Sequence, residues 1–349
     1  MKLIRRNIVS SVVVLLGTLA ALCSCTQDNM TSEVAYTIKV GTYNLWCAHS
    51  RTKKLSADPD IDTQRYWKPS SVAMNAIIDE MDCDIYAFQE IGDSIYGKIG
   101  AETSLKVHME KDGYEWRIWS NVDGTPVTGQ SGRLTYSPGI CYRVSLFTLL
   151  SGGVFWLGGN PAEPEFVRTE NFDPEYGDPK RACVWARMRH KPSGKVFYFM
   201  SAHLDTRSFS GVSYPMVNDR NCINLMSHAD EFIVPEGVPS IIAGDMNVGP
   251  TGSGYAYLMN HEGRRHMWKD AYSVAGDAGT LGVTAKNSPF TNNSAKGEIG
   301  TSRIDHVFVE GFEVMNYDIN QKKYKTASGM EHFPSDHFPV IVTLQLSKL

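Results

Sequence analysis

Apolar and polar positions repeat one figure along most of this chain: a short, β-rich apolar run that stops on side chains able to accept protons or bind cations. TIKVGTYNLW at 37–46 carries Asn44, IYAFQE at 85–90 ends on Glu90, and KVFYFMSAHLDT at 195–206 carries His203 and Asp205. IIAGDMN at 241–247 holds Asp245 and Asn247, RIDHVFVEG at 303–311 has Asp305 near its start, and SDHFPVIVTLQL at 335–346 begins with Asp336 and His337. Such runs of β-branched and aromatic residues predict strands. Residues 139–159 and 181–190 read as antiparallel strands between them. Helical spacing places Val72, Ala76, Ile77 and Met81 on one face of 70–81, and Ile223, Met226, Ala229 and Ile233 on one face of 215–233. A shorter helix is expected within 252–263. Hairpins mixed with strand–helix–strand units predict an α/β sandwich of two packed sheets with helices outside. Residues 48–69 and 160–180, rich in Pro, Asp and Asn, read as loops, and no linker divides 37–349.

The N-terminus breaks this figure. Lys2, Arg5 and Arg6 precede the apolar run IVSSVVVLLGTLAAL, which is too short and too one-sided for a stable membrane span. The run ends in LCSC and resembles a bacterial lipoprotein signal, with Leu22 at −3, Ser24 at −1 and Cys25 as the lipidated residue; an ordinary secretory signal is the alternative. The expected organisation is therefore a signal at 1–25, a flexible tether at 26–36 and one domain at 37–349, held outside the cytosol by a lipid anchor on the outer membrane or cell surface.

Composition is that of an ordinary globular chain, 42% hydrophobic and 21% charged over 349 residues. Losing the three positive charges of the signal takes the net charge from −4 to −7. A strongly basic surface is absent, so no stable nucleic-acid complex is expected. Beyond Cys25 the cysteines are Cys47, Cys83, Cys141, Cys183 and Cys222, odd in number and dispersed among apolar runs. They read as small buried residues rather than a disulfide frame or a zinc site.

Each polar strand end is ordinary alone, since an Asp after Gly usually caps a turn and a lone His is usually structural. Together they supply carboxylates, carboxamides and two histidines, without a serine-nucleophile motif, a phosphate-binding glycine loop or clustered thiolates. Oxygen donors of this kind suit Mg²⁺, with Mn²⁺ as a substitute, and a carboxylate beside water suits hydrolysis of a phosphate ester.

TYNLW, FQE, SAHLD, GDMN, SRIDH and SDHFPV, in that order, resemble the motif series of the endonuclease/exonuclease/phosphatase superfamily over roughly 37–346. The resemblance implies the deoxyribonuclease I-like fold: four layers, two packed mixed β-sheets flanked by helices. It also implies a divalent-metal-dependent phosphoesterase. Glu90 is then the principal metal ligand, with Asn44 close by and Asp336 completing the shell. Asp245 activates or orients water, Asn247 holds a phosphoryl oxygen, His203 and His337 contact the phosphate, and Asp305 fixes the His337 tautomer. Asp205 could position substrate, bind a second metal or cap the loop after its strand. Arg181 or Arg187 could recognise a charged substrate group or be exposed strand arginines.

Two departures narrow the substrate. TSRIDH replaces the Trp-Cys-Asp-Arg run of inositol-polyphosphate 5-phosphatases, and His306 replaces the aromatic residue that follows this Asp in abasic-site endonucleases. The expected activity is hydrolysis of an extracytoplasmic phosphate monoester or diester, against a scavenging nuclease and a non-catalytic binding lipoprotein. The basic residues of loop 48–69 (Arg51, Lys53, Lys54, Arg65) face either substrate or solvent. The aromatics of 114–119 and 155–156 read as core, and His306 as structural. His49, His108, His190, His228, His261, His266 and His332 are expected in polar loops or on helix faces, with no partner signal. Oligomeric state is not set by any of these features.

Overall fold

A computed structural model describes residues 35–46, 67–91, 104–118, 138–158, 181–206, 213–277 and 302–346, apart from 326, 328 and 330. One six-stranded mixed sheet contains β1 (Thr37–Asn44), β2 (Ile85–Gln89), β3 (Tyr114–Arg117), β4 (Gly139–Arg143), β11 (Phe312–Ile319) and β14 (Val340–Leu346), in the order β11-β14-β1-β2-β4-β3. The other contains β5 (Phe147–Trp156), β6 (Ala182–His190), β7 (Val196–His203), β8 (Ser240–Asp245), β9 (Lys269–Asp270) and β10 (Asp305–Glu310), in the order β5-β6-β7-β8-β10-β9. A small ribbon joins β12 (Tyr324–Lys325) to β13 (Glu331–His332).

Side-chain alternation builds the layers. Ile85 and Ala87 of β2 meet Phe197 and Phe199 of β7 and Ile241 and Ala243 of β8 in the core between the sheets. Tyr86 and Phe88 point the other way, under α1 (Trp67–Met81) and α2 (Leu105–Lys111). Tyr198, Met200 and Ile242 likewise lie under α3 (Tyr214–His228) and α4 (Ser253–Met259). Both faces of the central strands are buried, which is why they read as unbroken apolar runs. Helix, sheet, sheet and helix give the four layers expected from the sequence.

Several expectations are corrected. α1 begins at Trp67, so 67–69 belong to a helix, with Pro69 in the first turn, where its missing N–H costs nothing; residues 47–66 and 159–180 lie outside the described residues. The helix at 215–233 is two pieces: α3 ends at His228 and the chain continues as a π-helical turn, Ala229–Ile233. β14 starts at Val340 rather than at SDHF, so Asp336 and His337 lie on the approach to the strand. Of the histidines placed in loops or on helix faces, His190, His228 and His266 are buried. His228 stacks on Phe155, and His266 lies between Glu310 and the Val234 carbonyl. Cys83, Cys141, Cys183 and Cys222 are free and buried, while Cys47 is not among the described residues. Tyr114, Trp116, Phe155 and Trp156 are core residues.

Candidate active site

Strand pairing gathers the polar ends. β7 and β8 run parallel with His203 opposite Asp245, and β8 and β10 run antiparallel with Asp245 opposite Asp305. In the facing sheet, parallel β1 and β2 bring Asn44 opposite Gln89, one residue before Glu90. Gly244 has φ +151°, and a Cβ there would collide with the Ala202 carbonyl oxygen, so only glycine lets β7 and β8 approach this closely.

Beyond the strands the backbone turns sharply. Glu90 (φ +52°) and Asn247 (φ +51°) hold left-handed backbone, a conformation that costs about 1–3 kcal/mol and concentrates at functional sites. The turn also changes where Asn247 points. Two-residue alternation would put its side chain beside that of Asp245, but β8 ends at Asp245 and the Asn247 carboxamide Nδ2 donates to the Leu204 carbonyl at 2.9 Å. Its backbone N–H serves the site too, donating to Asp245 Oδ1 at 2.9 Å.

Asp245 is the centre, 1% exposed. Asn44 Nδ2 donates to its Oδ2 at 2.9 Å, and the Nε2 atoms of His203 and His337 lie 3.4 and 3.7 Å from that oxygen. His337 Nδ1 is 2.8 Å from Asp305 Oδ2. Donation to this carboxylate turns Nε2 toward Asp245 and raises the basicity of the ring. Burial opposes the His337 charge, but Asp305 and Asp245, together with the Asp305 bond, hold its proton well above the usual histidine range. Burial would raise the Asp245 carboxyl, yet the His337 charge, the His203 bond and charge and the Asn44 bond outweigh it and hold Asp245 well below the usual carboxylate range.

Arg181 immediately precedes β6 and is buried. Its Nη1 lies 2.5 Å from His203 Nε2, and its Nε is 3.8 Å from Asp205 Oδ2. A guanidinium only donates, so Arg181 places a permanent positive charge beside His203. Asp205 accepts the Thr206 N–H at 2.8 Å and so caps the loop after β7 while pairing with Arg181. Arg187 is exposed on β6, away from these groups.

Glu90 Oε1 lies 3.9 Å from His203 Nε2, while Oε2 is buried with no hydrogen-bond partner among the described residues. A buried carboxylate oxygen without a donor is costly unless a cation faces it. Asp336 sits half-buried at the same edge. Ser335 Oγ donates to the Asn44 carbonyl at 2.7 Å and lies 3.4 Å from Asp336 Oδ1. Hard carboxylate donors of this kind fit a Mg²⁺-type ion. The Asn44 carboxamide is fixed at this edge: Nδ2 donates to Asp245 Oδ2 and Oδ1 accepts the Trp46 N–H at 2.8 Å.

Some participants were missed in the sequence. Gln89 Nε2 contacts Thr42 Oγ1 at 3.3 Å and Ser201 Oγ at 3.4 Å, a buried polar layer joining β1, β2 and β7 beneath the site. Their signal was present as the polar letters inside TYNLW, FQE and SAHLD. His108 was expected to lack a partner, yet its Nε2 is 2.6 Å from Asp79 Oδ1, and with Asp112 the two form an exposed cluster. The helical spacing of His108 and Asp112, four residues apart, was the available clue.

The chain aligns to a crystal structure of an endonuclease/exonuclease/phosphatase family protein from Bacteroides thetaiotaomicron with TM-score 0.65 and 23% identity, covering 90% of this chain and 100% of that one. The mannosyl-6-phosphatase Bt3783 of the same organism aligns with TM-score 0.63 and 23% identity over 88% and 99% of the two chains. The human nocturnin catalytic domain with bound sulfate gives TM-score 0.58 and 16% identity over 88% and 93%. These likenesses establish a shared fold. No curated protein matches the chain. Residues 41–337 match the Endonuclease/Exonuclease/phosphatase family, and the chain therefore belongs to that family, whose members are metal-dependent phosphoesterases.

Proposed function

We propose that this protein hydrolyses a phosphate ester outside the cytosol, with Mg²⁺ (or Mn²⁺) as cofactor and a lipid anchor on Cys25 as its attachment to the membrane. The observation that carries the reading is Asp245, held ionised between two histidines whose outer partners are Asp305 and Arg181. Glu90 and Asp336 would hold the metal, which when bound neutralises charge on the phosphoryl oxygens.

The remaining work falls to the chain's own groups. Asn44 and the Asn247 N–H clamp the two oxygens of Asp245, so the carboxylate is fixed before water arrives. An ionised Asp245 orients water and draws on its proton as attack proceeds. His337, kept protonated by Asp305, donates Nε2–H where negative charge grows. Arg181 adds fixed positive charge beside His203.

One structural neighbour is named a mannosyl-6-phosphatase and another is a TDP2 from D. rerio complexed with a single-strand DNA product, so monoesters and diesters both belong in the test. The full chain in detergent is assayed on p-nitrophenyl phosphate, its bis-ester, single-stranded DNA, sphingomyelin and hexose phosphates, each with Mg²⁺ and with EDTA. Metal-dependent turnover of at least one ester supports the reading. Absence of turnover on all of them overturns it in favour of a binding lipoprotein on the same fold.

A further inference from the structure

The chain flanking Asn247 and Asp305 borders a groove beside the catalytic strand ends. Val248 and Gly249 directly follow Asn247, Ser302 and Arg303 lead into Asp305, and together they border a half-open groove of about 850 Å³. That size is typical of small-molecule sites. Groove and catalytic strand ends form one piece of structure. The Met246 N–H donates to the Ile304 carbonyl at 2.9 Å, and His306 Nε2 lies 2.9 Å from the Val248 carbonyl oxygen. Asn218 Nδ2 ties α3 to both, donating to the Asp205 and Met246 carbonyls at 3.1 and 3.0 Å.

The lining has a definite chemistry. It includes the rings of Tyr255 and Tyr272, the Asp219 carboxylate, the Ser253 and Ser302 hydroxyls, and Arg303. Arg303 is already neutralised, since its Nη1 donates to Asp270 Oδ2 at 2.8 Å, and Tyr255 donates to the same oxygen at 2.6 Å. The guanidinium lies 4.4 Å from the Tyr272 ring centroid, so it braces that ring as a cation–π partner and is not an anion receptor. Asp219 Oδ1 accepts from Ser253 Oγ at 2.7 Å, and its Oδ2 has no partner among the described residues. A carboxylate with an open oxygen, neighbouring hydroxyls and aromatic rings, without uncompensated positive charge, suits a neutral polyhydroxylated ring. Vicinal hydroxyls donate to the carboxylate, and the C–H face packs on a ring. A polyanion such as a DNA strand is disfavoured by Asp219 in the same place.

Resting on the phosphoesterase reading, we propose that this groove holds the leaving group of the substrate and that this group is a sugar, making the substrate a sugar phosphate ester. The test compares kcat and KM of the full chain in detergent, with Mg²⁺, on glucose 6-phosphate, mannose 6-phosphate and p-nitrophenyl phosphate. Asp219→Ala and Ser302→Trp are assayed beside the unaltered protein, with circular dichroism to establish folding. Loss of a hydrogen bond to a charged group predicts that Asp219→Ala lowers kcat/KM on a sugar phosphate about tenfold or more, through KM. Ser302→Trp, which fills the groove, acts in the same direction, and Asp219→Ala lowers the ratio of sugar-phosphate to p-nitrophenyl phosphate turnover. The proposal is overturned if folded variants leave sugar-phosphate turnover unchanged, or if Asp219→Ala slows both substrate types equally. Hydrolysis of p-nitrophenyl phosphate without preference for sugar phosphates overturns the groove assignment alone; failure on every ester overturns the phosphoesterase reading and this proposal with it.

Discussion

Asp245 and His337 carry opposite charges into a buried site, and each depends on the other. The direction of each shift sets a pH signature for stability. His337 is raised above its unfolded value, so its contribution is complete below about pH 6.5 and is lost as pH rises through its higher folded value. Asp245 is lowered, so its contribution is complete above about pH 4 and is lost as pH falls through its lower folded value. Both act fully between about pH 4 and 6.5. In EDTA-treated protein, His337→Gln should therefore lower Tm most within that window, with the gap to the unaltered chain narrowing at alkaline pH. A gap that widens with rising pH would contradict the pairing. The residue scale is also where the sequence misled. Asp245 and Asn247 are two apart, and strand alternation alone places them together, but a left-handed backbone at Asn247 sends its side chain to Leu204. Turn geometry of that kind has no hydrophobic signature, so pattern reading does not see it.

At the scale of elements, the strands were legible because burial on both faces produces apolar runs that stop abruptly where the site begins. Boundaries were less legible where the apolar signal continued past the hydrogen bonding. SDHFPV keeps an apolar beat through Phe338, yet Pro339 lacks an N–H for a ladder, so beyond an isolated bridge at His337 the continuous ladder starts at Val340. The close approach of β7 and β8 has its own test. Gly244→Ala places a methyl against the Ala202 carbonyl at a backbone angle unsuited to alanine. Destabilisation of about 3 kcal/mol or more is expected, at the upper end for one substitution, read from the urea midpoint. A variant as stable as the parent would mean that the two strands are not in this register.

For the molecule as a whole, the six motifs identified the family because each polar letter sits at a strand end that the topology delivers to one edge of the sandwich. The partnership across the sheets was not legible: Gln89 with Ser201 joins residues far apart in the chain by a contact that no local pattern encodes, whereas Arg181 reaches His203 from the neighbouring antiparallel strand of the same sheet. The anchor makes a separate prediction. Cys25→Ser should abolish incorporation of labelled fatty acid and release the protein from the membrane fraction; unchanged labelling would remove Cys25 as the lipidated residue. The central claim, that a carboxylate fixed between two histidines works with a bound cation to hydrolyse a phosphate ester, is tested most directly by titrating Mg²⁺ into EDTA-stripped protein and its Asp245→Asn variant, with turnover of the best ester as readout. The stripped protein is expected to be inactive, Mg²⁺ to restore turnover, and folded Asp245→Asn to be slower by about 10²–10⁴-fold at saturating metal. Full turnover in EDTA, or an Asp245→Asn variant as fast as the parent, would contradict the central claim.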